Sequence, residues 1–312
     1  MNDRERDMIY WICEGDMRKA KIYAKLYLEG VTAKKDQEFV SCSLRKLESQ
    51  GNFIKLPANL ESFLVAEESA LFPHSKFYLR RVDEKIVNDI LNLYRVAVKL
   101  HDIGIPYLPA AILYGESGCG KTMLARYIAY KAQLPFVYVR FTNLMDSYLG
   151  KTQENVGRIF DYARANPCVL CFDEIDAIGM RRGATNDVNE LSLITIALMQ
   201  ELDRMHNKTI IIATTNRFDQ LDEALIRRLP YRHQMKPFAE EDIEALARKF
   251  FTYAGIETEP WLHDWCQETF DEATPASTVI KCCTDWIVQR LLEEETATER
   301  DDTHENSPGY LV

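Results

Sequence analysis

The sequence predicts an α/β protein in which a parallel sheet carries helices on both faces, with a small all-helical segment before the sheet and a helical subdomain after it. Two patterns carry this expectation. Short apolar runs at Ala110 to Tyr114, Phe136 to Arg140, Cys168 to Asp173 and Thr209 to Thr215 alternate with stretches of helical length, and strands that alternate with helices pair in parallel under helical cover. Helical periodicity without strands flanks this region, before about residue 50 and after Pro237.

Residues 1–51 read as three helices, each followed by a glycine (Gly15, Gly30, Gly51), with Val40, Leu44 and Leu47 at helical spacing. Residues 52–75 contain Pro57 and Pro73 and sustain no period, so they read as a linker. A helix over Asp83 to Leu100 then leads into the α/β region, residues 76–237. Helical patterns at about 240 to 253, 260 to 269 and 276 to 292 make a lid-like subdomain, residues 238–292. The remainder, 293–312, is polar and acidic and reads as a disordered tail. There is no internal repeat.

A chain of 312 residues can bury a substantial core without disulfides. Its eight cysteines fall in apolar or helical stretches, without the spacing of a secreted framework, so a reducing cytoplasm is expected. No apolar run approaches bilayer length, which predicts a soluble protein with no membrane partner. The formal charge is −10, of which Glu293 to Glu305 supply −6, so the folded body is only mildly acidic. A protein that tracks a phosphate backbone carries a basic footprint; none shows here, and nucleic acid becomes a second choice as partner.

The chemistry concentrates at three strand ends. Gly115-Glu-Ser-Gly-Cys-Gly-Lys-Thr122 follows one apolar run and opens a helix at Met123, the context that makes G-x-x-x-x-G-K-[ST] a phosphate loop. Its glycines let backbone N–H groups close around phosphate oxygens, Lys121 reaches the terminal phosphates, and the Thr122 hydroxyl ligates magnesium. The candidate nucleotide contacts are therefore Gly115, Glu116, Ser117, Gly118, Cys119, Gly120, Lys121, Thr122 and Met123, joined by Asp173. Asp173 and Glu174 end the next apolar strand but one: Asp173 holds the metal with Thr122, and Glu174 orients and deprotonates the attacking water. Asn216 ends Ile210-Ile-Ile-Ala-Thr-Thr-Asn and is placed to report on the γ-phosphate. The cofactors expected are ATP and Mg2+.

These elements, in this order, resemble the AAA family of ring-forming ATPases over roughly residues 77 to 292, a P-loop NTPase fold. Pro167-Cys-Val-Leu-Cys-Phe-Asp-Glu-Ile-Asp-Ala-Ile178 and Ala213-Thr-Thr-Asn-Arg-Phe-Asp-Gln-Leu-Asp-Glu-Ala-Leu-Ile-Arg-Arg228 carry the resemblance beyond the phosphate loop. It implies a homo-oligomer, a hexamer, in which Arg227 and Arg228 stabilise charge at the neighbouring subunit's site. It also implies a pore loop at Ser147 to Thr152, where Tyr148 and Leu149 grip an extended polypeptide, and a second such loop at Arg181 to Asn189. Thr274 to Thr278 occupies the lid turn that faces the nucleotide in related rings, and Phe77 to Leu79 the adenine side. The sequence departs from the family at Glu116, Ser117 and Cys119, where two prolines and a threonine are common, and at the compressed Arg227-Arg-Leu-Pro-Tyr-Arg232.

The function expected is ATP hydrolysis coupled to translocating, unfolding or disassembling protein substrates, which the amino-terminal helices recruit directly or through an adaptor. No H-E-x-x-H or G-x-S-x-G text occurs, so proteolysis would need a separate protease, for which Pro308-Gly-Tyr-Leu-Val312 is a docking candidate. The alternatives are a nucleic-acid motor or loader and an ATP-gated scaffold with little turnover. Cys119, beside Lys121 at a helix start, is expected to react readily with alkylating agents. Cys168 and Cys171 read as core cysteines rather than a zinc site.

Overall fold

The computed structural model describes residues 3–14, 17–31, 36, 39–41, 43–44, 56–74, 77–141, 144, 149–179, 188–205, 208–271 and 274–305, with the side chains of 17–18, 149–151, 179, 188–192 and 294–305 outside that description. The chain forms two compact units. One comprises Met1–Pro73, Arg81–Gly115 and Lys121–Gln234; the other comprises His74–Arg80, Glu116–Gly120 and Met235–Val312.

The first unit is built on a six-stranded sheet of β1 (Leu64–Glu67), β2 (Ala110–Tyr114), β3 (Phe136–Val139), β4 (Val169–Phe172), β5 (Ile210–Thr215) and β6 (Tyr231–Gln234). Their order is β1-β3-β4-β5-β2-β6. All neighbours are parallel except the pair β1 and β3. Every residue of β4 and β5 is buried, as expected of strands covered on both faces. The covering elements are α3 (Arg81–Asp102), α4 (Lys121–Ala132), α5 (Leu149–Ala165), α6 (Asp176–Gly179), α7 (Val188–Arg204) and α8 (Glu223–Arg228). Phe172 stacks between Phe141 and Phe160, with ring centroids 5.9 and 5.7 Å away. Each such buried ring contributes about 2–3 kcal/mol relative to exposure, so the residue just before the site's carboxylates is firmly anchored.

Two strands were not expected. β1 lies inside the segment read as a linker: Leu64 and Ala66 point into the core, and Glu67 receives Arg126 in a two-pronged ion pair at 2.8 and 3.0 Å. Four residues are too few to display a period, and pairing with β3 supplies the order that the local pattern lacks. β6 alternates between half-buried and exposed residues, an edge strand held by β2. The amino-terminal helices α1 (Asp3–Cys13) and α2 (Met17–Glu29) belong to this same unit. The third helical pattern near Val40 and Leu47 lies largely outside the described residues.

The second unit contains α9 (Glu240–Tyr253), α10 (Leu262–Thr269) and α11 (Ala276–Glu305). Its centre is aromatic. Phe251 meets Trp261, Trp265 and Trp286 edge-on at 5.2, 5.6 and 5.2 Å, and Trp261 stacks on Trp286 at 4.7 Å. Offset and edge-on ring pairs of this kind add about 0.5–1.5 kcal/mol each beyond area burial. α11 runs on to Glu305 rather than ending at 292, so the first part of the expected disordered tail is helical. No glycine or proline interrupts the sequence between Ser277 and Ser307, and Pro308 is the first breaker.

Candidate functional site

Parallel strands present their carboxyl ends to one edge of the sheet, and β2 and β4 both flank β5 there. The register sets Phe172 opposite Ala213 and Tyr114 opposite Thr215. The residues that follow each strand, Gly115 and the helix start at Lys121 after β2, Asp173-Glu174 after β4 and Asn216 after β5, therefore converge without side-chain search.

The loop between β2 and α4 turns through the left-handed region at Gly118 (φ 80°) and Gly120 (φ 86°). Only glycine adopts these values without cost. At Gly118 there is a second constraint within the second unit, because a Cβ would lie 2.6 Å from Pro275 Cβ and 2.9 Å from Ser277 Oγ. Lys121 opens α4, only 8 % exposed, and its Nζ donates to the Gly115 carbonyl at 3.0 Å and to Asn216 Oδ1 at 2.6 Å. The Thr122 hydroxyl donates to Asp173 Oδ1 at 2.8 Å. A hydroxyl and a carboxylate oxygen side by side, next to a buried ammonium at a helix start, fit a hard divalent cation with phosphate. Nucleotide and magnesium thus suit the residues present.

Three neighbours complete the cluster and were not singled out from the sequence. Thr214 is buried on β5; its hydroxyl donates to Asp173 Oδ1 and accepts the Glu174 N–H at 3.1 Å. Thr215 donates to Asp176 Oδ1 at 2.7 Å and accepts the Arg217 N–H at 2.9 Å. The signal for all three was present: two hydroxyls ending an otherwise aliphatic, fully buried strand have to find polar partners. Glu174 sits at φ 51°, a left-handed conformation for a residue with a Cβ, and its side chain is exposed. Such a conformation costs roughly 1–2 kcal/mol and persists where neighbours over-determine it. Here Thr214 does so twice, since its carbonyl also accepts the Ile175 N–H at 2.9 Å.

The remaining candidates are distributed as follows. Arg227 and Arg228 end α8, whose start is capped by Asp222 accepting the Ala224 N–H at 2.7 Å. Arg227 is 77 % exposed, with only a loose approach to Glu223 at 3.8 Å. Arg228 is held by Asp203 at 2.8 Å through each of Nε and Nη2. Met123 lies in the first turn of α4 and is exposed. Tyr148, like 181–187, lies outside the described residues; Leu149 opens α5, its side chain equally outside them. Tyr78 packs on Phe238 and donates to Asp242 Oδ1 at 3.0 Å, inside the second unit.

The cysteines divide by burial. Cys119 is 3 % exposed, so the ready alkylation expected of it is not supported. Burial pushes the Cys168 thiol up to about 12 and raises Cys171 well above the ordinary thiol range. Both are core residues. Among the described residues no group of three or more His, Cys, Asp or Glu is arranged to hold a metal ion. No helix of the described residues is long and apolar enough to cross a membrane.

Residues 111–236 match the model of the ATPase family associated with various cellular activities (AAA). The chain carries an ATPase domain of the AAA family. This domain is 34 % identical over 150 residues to an uncharacterized AAA family ATPase, y4kL, of Sinorhizobium fredii, covering 48 % of this chain and 46 % of the relative. It is 35 % identical over 154 residues to the putative ribosome biogenesis ATPase nvl of Dictyostelium discoideum, covering 48 % of this chain and 18 % of the relative. The peroxisomal ATPase pex6 of Schizosaccharomyces pombe is 36 % identical over 148 residues, covering 46 % of this chain and 16 % of that one. The matched stretch spans less than half the length of each of these relatives.

Proposed function

We propose that this AAA domain hydrolyses ATP with magnesium and uses the turnover to remodel protein substrates as a homo-hexameric ring. The observation that carries the reading is the pair of hydrogen bonds at adjacent strand ends, Lys121 with Asn216 and Thr122 with Asp173, beside the exposed Glu174. When bound, magnesium supplies the charge that offsets the developing negative charge of the transferred phosphoryl group. Lys121 and the N–H groups of Gly118 to Thr122 hold the phosphates. Thr122 and Asp173 supply oxygens to the cation. Glu174, on its backbone turn, accepts a proton from the attacking water, and Asn216 joins the same cluster through Lys121, so a change at the phosphate is felt at the end of β5.

From Asn216 the chain runs by a 3-10 turn (Phe218–Gln220) and the Asp222 cap into α8. The short path supports a division of labour: the site is sensed in one subunit, and Arg227, exposed on α8, reaches the site of the next. Tyr148 and Leu149, the latter the first residue of α5, are the proposed grip on an extended polypeptide. The acidic balance of the chain favours protein clients over nucleic acid. A separate protease or an adaptor stays within the proposal as a partner, and a cytoplasmic setting is proposed with it, supported by the free thiols of the core.

The test is a trap. Glu174→Gln with ATP should sediment as a hexamer and retain polypeptides identifiable by mass spectrometry, and Tyr148→Ala in the same background should release them. A retained nucleic acid without protein, or a monomer under all nucleotide conditions, would refute the proposal.

A further inference from the structure

Asn216 is exposed, yet its Oδ1 lies 2.6 Å from Lys121 Nζ. An exposed amide side chain keeps such an aim only where the backbone beneath it is fixed. Two fastenings flank Asn216. On one side Thr215 is fully buried; its hydroxyl accepts the Arg217 N–H at 2.9 Å and its carbonyl accepts the Gly115 N–H at 3.3 Å. On the other side the chain enters the 3-10 turn Phe218–Gln220, where the Gln220 N–H donates to the Arg217 carbonyl at 3.0 Å and the Leu221 N–H to the Phe218 carbonyl at 3.3 Å.

These last two bonds close the turn on itself. Phe218 ties it to the sheet: its ring lies on that of Tyr114, with centroids 4.2 Å apart and planes 20° from parallel, closer than the Trp261 and Trp286 stack at 4.7 Å. Tyr114 ends β2 and precedes Gly115, whose carbonyl accepts from Lys121 Nζ at 3.0 Å. Both rings are half-buried against the core on the face of the sheet covered by α5, α7 and α8. A closed circuit results. Tyr114 leads by the chain to Gly115, Gly115 by its carbonyl to Lys121, and Lys121 to Asn216; two residues further on, Phe218 returns to Tyr114 through the rings. An aliphatic side chain at 218 fills space but offers no flat face to a neighbouring ring.

We propose that Phe218 is a positioning residue for Asn216: stacked on Tyr114, it pins the turn that follows Asn216 to the strand that leads into the phosphate loop, and so keeps Oδ1 aimed at Lys121. This rests on the reading of the cluster as an ATP-hydrolysing site. Lys121 retains its bond to the Gly115 carbonyl without the stack, so the loss falls on turnover rather than on ATP binding. A misplacement of about 1 Å at a group that acts on the reacting phosphate lowers the rate by up to about a hundredfold.

The test is steady-state ATPase activity of Phe218→Leu, Phe218→Tyr, Asn216→Ala, and Phe218→Leu combined with Asn216→Ala. Leucine keeps an apolar side chain and removes the flat ring; kcat should fall by about tenfold, with KM for ATP within about twofold. Phe218→Tyr, which keeps the ring, should hold kcat within about twofold of the parent. Where Asn216 is already alanine, Phe218→Leu should lower kcat no further, because it acts through Asn216. Melting curves screen for unfolded variants; should Phe218→Leu unfold, Tyr114→Leu against Tyr114→Phe reads the same stack from its other ring, and a Leu variant as fast as the Phe variant overturns the proposal. So does Phe218→Leu with the parent's kcat, whatever its KM, and so does an undiminished loss in the Asn216→Ala background, since the ring would then act elsewhere. Glu174→Gln run alongside separates the two ideas. If it turns over ATP like the parent, the hydrolytic reading of the site fails; if it is inactive while Phe218→Leu is silent, only the role of the stack fails.

Discussion

Thr214 offers the sharpest perturbation, because one hydroxyl serves both of the site's acids. It donates to Asp173 Oδ1 and accepts the Glu174 N–H at 3.1 Å, while the same residue's carbonyl holds the Ile175 N–H. Thr214→Val keeps the shape of the side chain and removes only the hydroxyl. The bond to the carboxylate is worth about 1.5–3 kcal/mol and the one from the N–H about 1 kcal/mol. The first loss loosens Asp173. The second falls on Glu174, whose left-handed φ of 51° already costs roughly 1–2 kcal/mol, so removing about 1 kcal/mol of support leaves the turn close to balance with a relaxed alternative. Each 1.4 kcal/mol of lost transition-state stabilisation is about tenfold in rate, so kcat should fall by about five- to fiftyfold, with ATP still bound. Thr214→Ser, which keeps the hydroxyl, should retain most of the activity. The assay is phosphate release at saturating ATP and magnesium. A Val variant as active as the Ser variant would refute the claim that this hydroxyl holds the two acids in place.

Other consequences are open to simple measurements. Gly118→Ala places a Cβ 2.6 Å from Pro275 in a backbone at φ 80°, and should weaken ATP binding by at least about tenfold in a fluorescence titration; an unchanged Kd would show that the loop relaxes freely. Native-state maleimide labelling followed by peptide mass spectrometry at pH 8 should modify Cys13, which is exposed, and spare Cys168 and Cys171, whose raised pKa values leave almost no thiolate. His263 is raised from 6.5 by its hydrogen bond with Glu244, and Glu244 is lowered from 4.5 chiefly by the same bond. The raised His263 contributes stability that is present below 6.5 and lost as pH rises through its folded value; the lowered Glu244 contributes above 4.5 and is lost as pH falls through its own. The Tm difference between the parent and His263→Gln should therefore be largest near pH 5 to 6, shrink by pH 8, and fade again in stronger acid; a flat difference would remove the pair as a contributor.

What the sequence disclosed was whatever local pattern or motif chemistry dictates. The four central parallel strands were legible because strands buried on both faces are nearly all aliphatic, and Lys121, Thr122, Asp173 and Asn216 were legible because each follows such a strand at its polar end. β1 was hidden, since four residues with Glu67 in a charged pair read as loop until β3 is beside them. Thr214 and Thr215 were visible as letters, but their partners Asp173 and Asp176 lie some forty residues away and meet them only through sheet register. The unlike settings of Arg227, exposed, and Arg228, paired with Asp203, were also out of reach, because adjacent residues on a helix point about 100° apart and the position of Asp203 on α7 decides which one is tied down. The accessibility of Cys119 failed for a similar reason: the helix start that would activate a thiol was read correctly, whereas its burial is a property of packing.

The most direct measurement is to follow ATP binding and phosphate release together in Glu174→Gln. Removing the proton acceptor while leaving Lys121, Thr122 and Asp173 intact should keep the nucleotide Kd within a few fold and reduce release by about a hundredfold or more. Release at the parental rate with binding intact would mean that another group performs the chemistry, and the account of this site would be wrong at its centre.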